Sequence, residues 1–267
     1  MRGRVLIAAG SDSGGGAGIQ ADVKTVTALA GFATTAITAL TAQNTFGVHS
    51  IEKVDPNFVA RQMEVVITDI GVDAVKTGML HNAGVIEAVE NVYSVHCNDV
   101  PLVVDPVMVA KGGAVLLQED AVDALKTYLI PLATVLTPNI PEAEVLSGIA
   151  IRDDSDVSRA AEKILALGSA AVLITGGHRE GDRIVDTLCT PESKEQFESP
   201  RINTPNTHGS GCTLASAIAT YLARGLSLSK SVSCARAYVH KAIVQAPGLG
   251  GGAGPLDHTH TVQNCSE

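Results

Sequence analysis

The sequence predicts an α/β fold, a mostly parallel sheet with helices on both faces. Three observations carry that expectation. Short β-branched runs alternate with amphipathic stretches of helical period, run after run is stopped by glycine or proline, and 45% hydrophobic against 18% charged residues supplies a sizeable core. No linker, low-complexity tract or internal repeat divides the 267 residues, and the glycine-rich stretch 248–254 lies too near the end to do so. The chain therefore reads as one domain over 1–267.

The elements follow in order. Val5 to Ala9 is a buried strand, and after a glycine-rich turn Ile19, Val23, Val26 and Ala30 share one helical face. Thr34 to Leu40 is strand-like. Asp55-Pro56 reads as an N-cap with proline at the first helical position, opening a helix to about Asp69. Ala74 to Thr77 is a short strand ending at Gly78, and Asn82 caps the helix of Val85, Val89 and Val92. Leu102 to Val104 stops at Asp105-Pro106. A helix from Glu119 to Leu129 leads to the strand Thr134 to Thr137, which Pro138 stops. A helix from Ser155 to Leu167 feeds Ala171 to Thr175, strands around Ile184 and Phe197 form a hairpin, and helices from Gly211 and Leu228 complete the pattern.

Charge and composition narrow the function classes. Lys+Arg 19 against Asp+Glu 28 gives a net charge of −9, and no basic block exists, so nucleic acid and anionic membranes are not expected partners. With no Trp, 4 Tyr and 4 Phe, aromatic stacking platforms are excluded. The apolar stretch Val5–Ala9 is too short for a signal-peptide core, and no run of roughly 20 apolar residues could span a bilayer. Cys97, Cys189, Cys212, Cys234 and Cys265 are never spaced as a metal or redox pair, which fits reduced thiols in the cytoplasm.

In parallel sheets ligands bind beyond the carboxyl ends of the strands, and polar residues recur there: Gly10 and Asp12, Gln43 and Asn44, Gly78 and Met79, Asp105, Asn139, and Gly176-Gly177. The loop from Ala9 to Asp22 reads as a cradle of backbone N–H groups at a helix start, or plainly as a tight turn needing positive φ. It lacks the Gly-Lys-Ser/Thr of a P-loop and the spacing of a dinucleotide fingerprint, which excludes a nicotinamide dehydrogenase. Asn206 to Thr213 places small residues at a helix start, where free amides can converge on a phosphate and stabilise the Cys212 thiolate. The plain alternative is an exposed turn with an inert cysteine, and His208 carries no assigned role. Asp105 and Glu142, at neighbouring strand ends, can hold a hydrated Mg²⁺; the ordinary readings are a cap and a favourable first-turn acid. Beside an anion site they favour metal-assisted phosphoryl transfer.

Seven motifs in order carry a resemblance: the glycine-rich opening, Thr41-Ala42-Gln43-Asn44-Thr45, Lys76-Thr77-Gly78-Met79-Leu80, Asp105-Pro106-Val107-Met108, Thr137-Pro138-Asn139-Ile140-Pro141-Glu142, Gly176-Gly177-His178 and Thr207-His208-Gly209-Ser210-Gly211-Cys212-Thr213. The chain resembles the hydroxymethylpyrimidine/phosphomethylpyrimidine kinases of thiamine biosynthesis, members of the ribokinase-like superfamily, from Val5 to the tail Gly254-Pro255…His258-Thr259-His260. The resemblance implies a three-layer α/β/α sandwich, often a homodimer, that uses MgATP to phosphorylate the pyrimidine's hydroxymethyl group and then add a second phosphate. It implies Gly209, Ser210, Gly211 and Cys212 as the anion hole, with Cys212 standing where sugar kinases have an Asp base. It further implies Asp105 and Glu142 at Mg²⁺, Asn139, Thr175, Gly176 and Gly177 at the nucleotide, and Gly10, Asp22, Gln43, Met79 and Val107 around the pyrimidine.

The chemistry is coherent, since the Gln43 amide can answer both the amino donor and the ring-nitrogen acceptor of an aminopyrimidine. Met79 supplies a polarizable wall, although core packing is its reading without the resemblance. One departure is Thr175, where many relatives have Lys; Lys111 or Lys241 is a candidate replacement cation. Two rivals stand beside this reading: a pyridoxal/pyridoxine kinase of the same superfamily, and a non-catalytic pyrimidine-binding sensor.

Overall fold

The computed structural model describes residues 3–109, 113–114, 116–178 and 181–262; Lys111 and Cys265 lie outside them. The described residues build one nine-stranded sheet of order β3-β2-β1-β4-β5-β6-β7-β8-β9. The strands are β1 (Arg4–Asp12), β2 (Phe32–Asn44), β3 (Gly47–Lys53), β4 (Ala74–Thr77), β5 (Leu102–Val104), β6 (Val135–Leu136), β7 (Val172–Ile174), β8 (Arg183–Cys189) and β9 (Lys194–Pro200). The run from β2 through β7 is parallel, while β3 at one edge and β8 and β9 at the other are antiparallel.

Strand periodicity creates two cores. Leu6 and Ala8 face one side with Val75, Leu102 and Val104, while Val5, Ile7 and Ala9 face the other with Ala74 and Val103. The first side is covered by α2 (Pro56–Asp69), α3 (Ala83–His96), α4 (Glu119–Ala124), α5 (Ile140–Ser147) and α6 (Asp154–Leu165), whose Met63, Val89, Ala121, Leu146 and Ile164 are buried there. The second is covered by α1 (Gly18–Ala28), α7 (Ser210–Ala223) and α8 (Leu228–Val244), through Val26, Ile218 and Val232. The result is the three-layer sandwich that the alternation predicts.

Local signals hold where side chains cap. Asp55 accepts from the amides of Asn57 and Phe58, and Asn82 from that of Val85. Two expectations change. The helix from Glu119 stops at Ala124 and loosens into a π-turn over Leu125–Leu129, then a 3-10 turn at Ile130–Leu132 that contains Pro131. β3 has no counterpart in the sequence reading, because an edge strand carrying His49, Ser50, Glu52 and Lys53 lacks a buried alternating face. Its pairing extends β2 to Asn44, so Gln43 stands on a strand paired with β3 rather than in a loop.

Candidate active site

The carboxyl ends of the parallel strands open into a cavity of about 950 Å³. Gly10, Gln43, Met79 and Val107 line it, as do Asp105, Asn139, Glu142, Thr175 and Gly177, and so do Gly209, Ser210, Gly211 and Cys212. Strand order places the first group toward β2, β1, β4 and β5, and Asn139 and Thr175 toward β6 and β7. Gly10 gives Met79 its place, since a Cβ there would lie 3.2 Å from the Met79 Sδ.

The anion loop is built from backbone. Gly209 caps α7 with φ 81°, and a Cβ on it would run into the carbonyl of Gly16. The Ser210 amide donates to Thr207 O at 3.3 Å and the Thr213 amide to Gly209 O at 2.9 Å. The Gly211 and Cys212 amides have no acceptor among the described residues. These two first-turn amides at a helix N-terminus are the ones left for an anion.

Across the cavity, Asn139 and Glu142 form a reciprocal cap at the start of α5. The Asn139 Oδ1 accepts from the Glu142 amide at 3.0 Å, and the Glu142 Oε2 from the Asn139 amide at 2.9 Å. Thr175 bridges to Asn139 and donates its amide to Pro138 O. Asp105 is buried, and its Oδ2 has no partner among the described residues.

Comparison with known proteins decides the family. The profile described as phosphomethylpyrimidine kinase matches residues 12–257. The chain belongs to this family. It is 47% identical over 254 residues to a hydroxymethylpyrimidine/phosphomethylpyrimidine kinase of Streptomyces coelicolor, covering 95% of this chain and 93% of that one. It is 52% identical over 257 residues to the thiamine biosynthesis bifunctional protein ThiED of Geobacter sulfurreducens; 96% of this chain matches, yet it spans only 52% of that protein's length. Among solved structures, an ADP complex of Bacillus subtilis pyridoxal kinase superposes with a TM-score of 0.88 at 37% identity, covering 97% of this chain and 98% of that one.

Three of the expected site residues sit in surroundings that the sequence did not disclose. Asp22 does not line the cavity. It lies fully buried on the sheet-facing side of α1, beneath the pocket, where Lys76 Nζ sits 3.0 Å from both its oxygens and Ser216 Oγ donates at 2.7 Å. Gly176 is also not at the surface of the cavity. Its amide donates to Asp186 Oδ1 at 2.7 Å, and a Cβ would strike the Val185 carbonyl, so the glycine serves packing. The third concerns Cys212, whose thiol is pushed up to about 12 rather than ionised. Burial is the largest cause. Lys76 and the Gly18 amide oppose it, but Asp22 and Asp105 add to it.

Several residues that line the cavity were given no role by the sequence reading. Lys76 is fully buried yet touches the cavity. Burial would lower its ammonium, but the Asp22 carboxylate, with Cys212 and Asp105 beside it, outweighs burial and holds it above its ordinary value. A lysine inside the apolar strand Ala74-Val75-Lys76-Thr77 demands such a partner, and that was the available signal. Asp12 accepts the amides of Gly14, Gly16 and Ala17 and lies 2.9 Å from His208 Nε2. Arg236, packed 5.7 Å over the Phe197 ring, donates to Asp186 Oδ2 at 2.7 Å and lines the cavity. Lys241, one of the two candidate replacement cations, is exposed five residues further along α8.

Proposed function

We propose that this kinase transfers the γ-phosphoryl group of ATP to the hydroxymethyl oxygen of 4-amino-5-hydroxymethyl-2-methylpyrimidine, and then a second phosphoryl group to the monophosphate. The observation that carries this is one cavity holding both the Gln43 amide, suited to an aminopyrimidine edge, and the two free amides of Gly211 and Cys212. In each step the substrate oxygen bonds to the γ-phosphorus while the bond to the bridging oxygen of ADP breaks. Gly10, Met79 and Val107 enclose the ring, Gly211 and Cys212 hold the transferring phosphate, and Asn139, Thr175 and Gly177 meet the nucleotide.

The donor set fits Mg²⁺. Among the described residues no cluster of three ligating side chains exists, and Mg²⁺ in phosphate sites keeps its waters and needs only one or two carboxylates. The partnerless Oδ2 of Asp105 is one such donor, with Glu142 beside it. When bound, the ion supplies charge neutralisation for the phosphates. Burial pushes both carboxyls up, Asp105 to about 6 and Glu142 to about 8, the charge of Asp105 adding to the latter. Raised carboxyl pKa values contribute stability that is complete below the unfolded values and is lost as pH rises through the folded ones. With ADP present throughout, MgCl₂ is therefore expected to raise Tm more at about pH 9 than at about pH 6, since binding needs both groups deprotonated. A gain independent of pH, read by differential scanning fluorimetry, would remove these carboxylates from the ion's site.

No helix of the described residues is long and apolar enough to cross a membrane. Residues 1–267 act here as one catalytic unit, active as a homodimer in the cytoplasm on small molecules alone. A second reading has its own support: the likeness to a pyridoxal kinase over nearly the whole chain favours pyridoxal as a further substrate. An ADP-release assay with hydroxymethylpyrimidine, its monophosphate and pyridoxal offered separately tests the substrate readings. Turnover on both pyrimidines is expected. Turnover on pyridoxal alone would replace the first reading by the second, and binding without ADP release would leave a sensor.

A further inference from the structure

Gln43 is pinned at its backbone, where its amide and carbonyl bond the Ser13 hydroxyl at 2.8 and 2.9 Å. Its side-chain amide is left to choose an orientation. One end lies 3.3 Å from His208 Nε2 and the other 3.0 Å from Thr41 Oγ1. The oxygen and nitrogen of such an amide are told apart by what their neighbours can accept and donate.

Those neighbours are not free to choose. Three backbone amides donate to Asp12, at 2.8, 3.1 and 2.8 Å, so its carboxylate can only accept. The His208 Nε2, 2.9 Å from Asp12 Oδ2, must therefore carry a proton. Thr41 has one hydroxyl proton, and a carbonyl that can only accept, Ser11 O, lies 3.0 Å away. Donating there rather than to the Gln43 Oε1 at the same 3.0 Å, Thr41 Oγ1 turns a lone pair toward Gln43. With Nε2 toward His208 and Oε1 toward Thr41, the amide would oppose donor to donor and acceptor to acceptor. A half-turn of the amide turns its acceptor toward the Nε2–H that His208 shares with Asp12, and its donor toward Thr41 Oγ1.

We propose that His208, held by Asp12, is a positioning residue that fixes Gln43 with Oε1 toward the imidazole and Nε2 toward Thr41, and thereby sets which hydrogen-bonding edge the pocket accepts. A 4-aminopyrimidine offers a donor beside an acceptor; its 4-oxo counterpart offers the reverse order. To serve the 4-oxo ring the amide must turn and lose both neighbours at once. The same histidine immediately precedes Gly209, and its backbone amide bonds Gly254 O at 3.1 Å, so the residue that orients substrate recognition is anchored to the phosphate loop. This inference rests on the pyrimidine reading for its substrate but not for its geometry.

Two measurements test it. In the ligand-free protein, ¹⁵N NMR of the imidazole is expected to show a protonated Nε2 on His208; an Nε2 without a proton overturns the proposal whatever the enzyme phosphorylates. In steady-state assays, the ratio of kcat/KM for the 4-amino over the 4-oxo pyrimidine is expected to fall about tenfold or more in His208→Leu and in Thr41→Val. His208→Gln, whose amide can still donate, retains most of the ratio. Equal ratios in wild type, His208→Leu and Thr41→Val, or an equal fall in His208→Gln and His208→Leu, would show that the histidine only fills space. Wild type inactive on every pyrimidine breaks the substrate reading, and the NMR result then tests the His208 geometry by itself.

Discussion

Replacing Lys76 with methionine is expected to destabilise the protein by about 3–5 kcal/mol and to remove most kinase activity. The loss of stability follows from what remains: Asp22, fully buried, keeps only the Ser216 hydroxyl. Its carboxyl is already pushed up by burial, and Lys76 is the largest influence against that. The double variant Asp22→Asn/Lys76→Met removes both charges together, and exchanging a buried pair for neutral groups is often close to neutral. Urea unfolding should therefore show the double variant regaining most of the loss. Its ADP release should stay low, because the cation bordering the cavity beside Cys212 is still missing. Recovery of stability and activity together would reduce Lys76 to a structural counter-ion. A single variant as stable as wild type would mean that the pair is not held as the geometry indicates.

The same pair shows what the sequence could and could not disclose. Strand and helix alternation was legible because both layers of helices need apolar faces, and Val5, Ile7 and Ala9 against Leu6 and Ala8 write the two-sided burial into one strand. Caps such as Asp55 and Asn82 were legible because their partners lie two or three residues away. β3 was not, since its pairing with β2 depends on main-chain bonds that no side-chain pattern announces. For the site, the strand ends named the mouth, and the ordered motifs named most of its lining. The burial of Asp22 was not legible, because helical position, not motif membership, decides whether a side chain faces the sheet. Lys76, 54 residues away in the chain, and the contact of Asp12 with His208, 196 residues apart, come together only through the fold.

Cys212 is where the chemistry of the two steps separates. The alcohol must lose a proton as its oxygen bonds to phosphorus, whereas a phosphate oxygen of the monophosphate is already anionic. With its thiol pushed up to about 12, chiefly by burial, Cys212 is almost wholly protonated at neutral pH. If its thiolate takes the alcohol's proton, the first step should accelerate about tenfold per pH unit through the neutral range, following the thiolate fraction. The second step should lack that slope. Cys212→Ala is expected to cut kcat for the first step by about 10²–10⁴-fold and abolish its slope, while the second step keeps most of its rate. The alanine variant also controls for the other titrating groups nearby, Asp105 and Glu142, because their ionisation would bend both profiles alike. The Lys76 charge enters here too: it is the largest influence lowering the thiol, so removing it should push the first-step profile to still higher pH. Equal losses in the two steps, or a first-step profile that keeps its slope without the sulfur, would leave Cys212 as a backbone donor of the anion loop and place the base elsewhere.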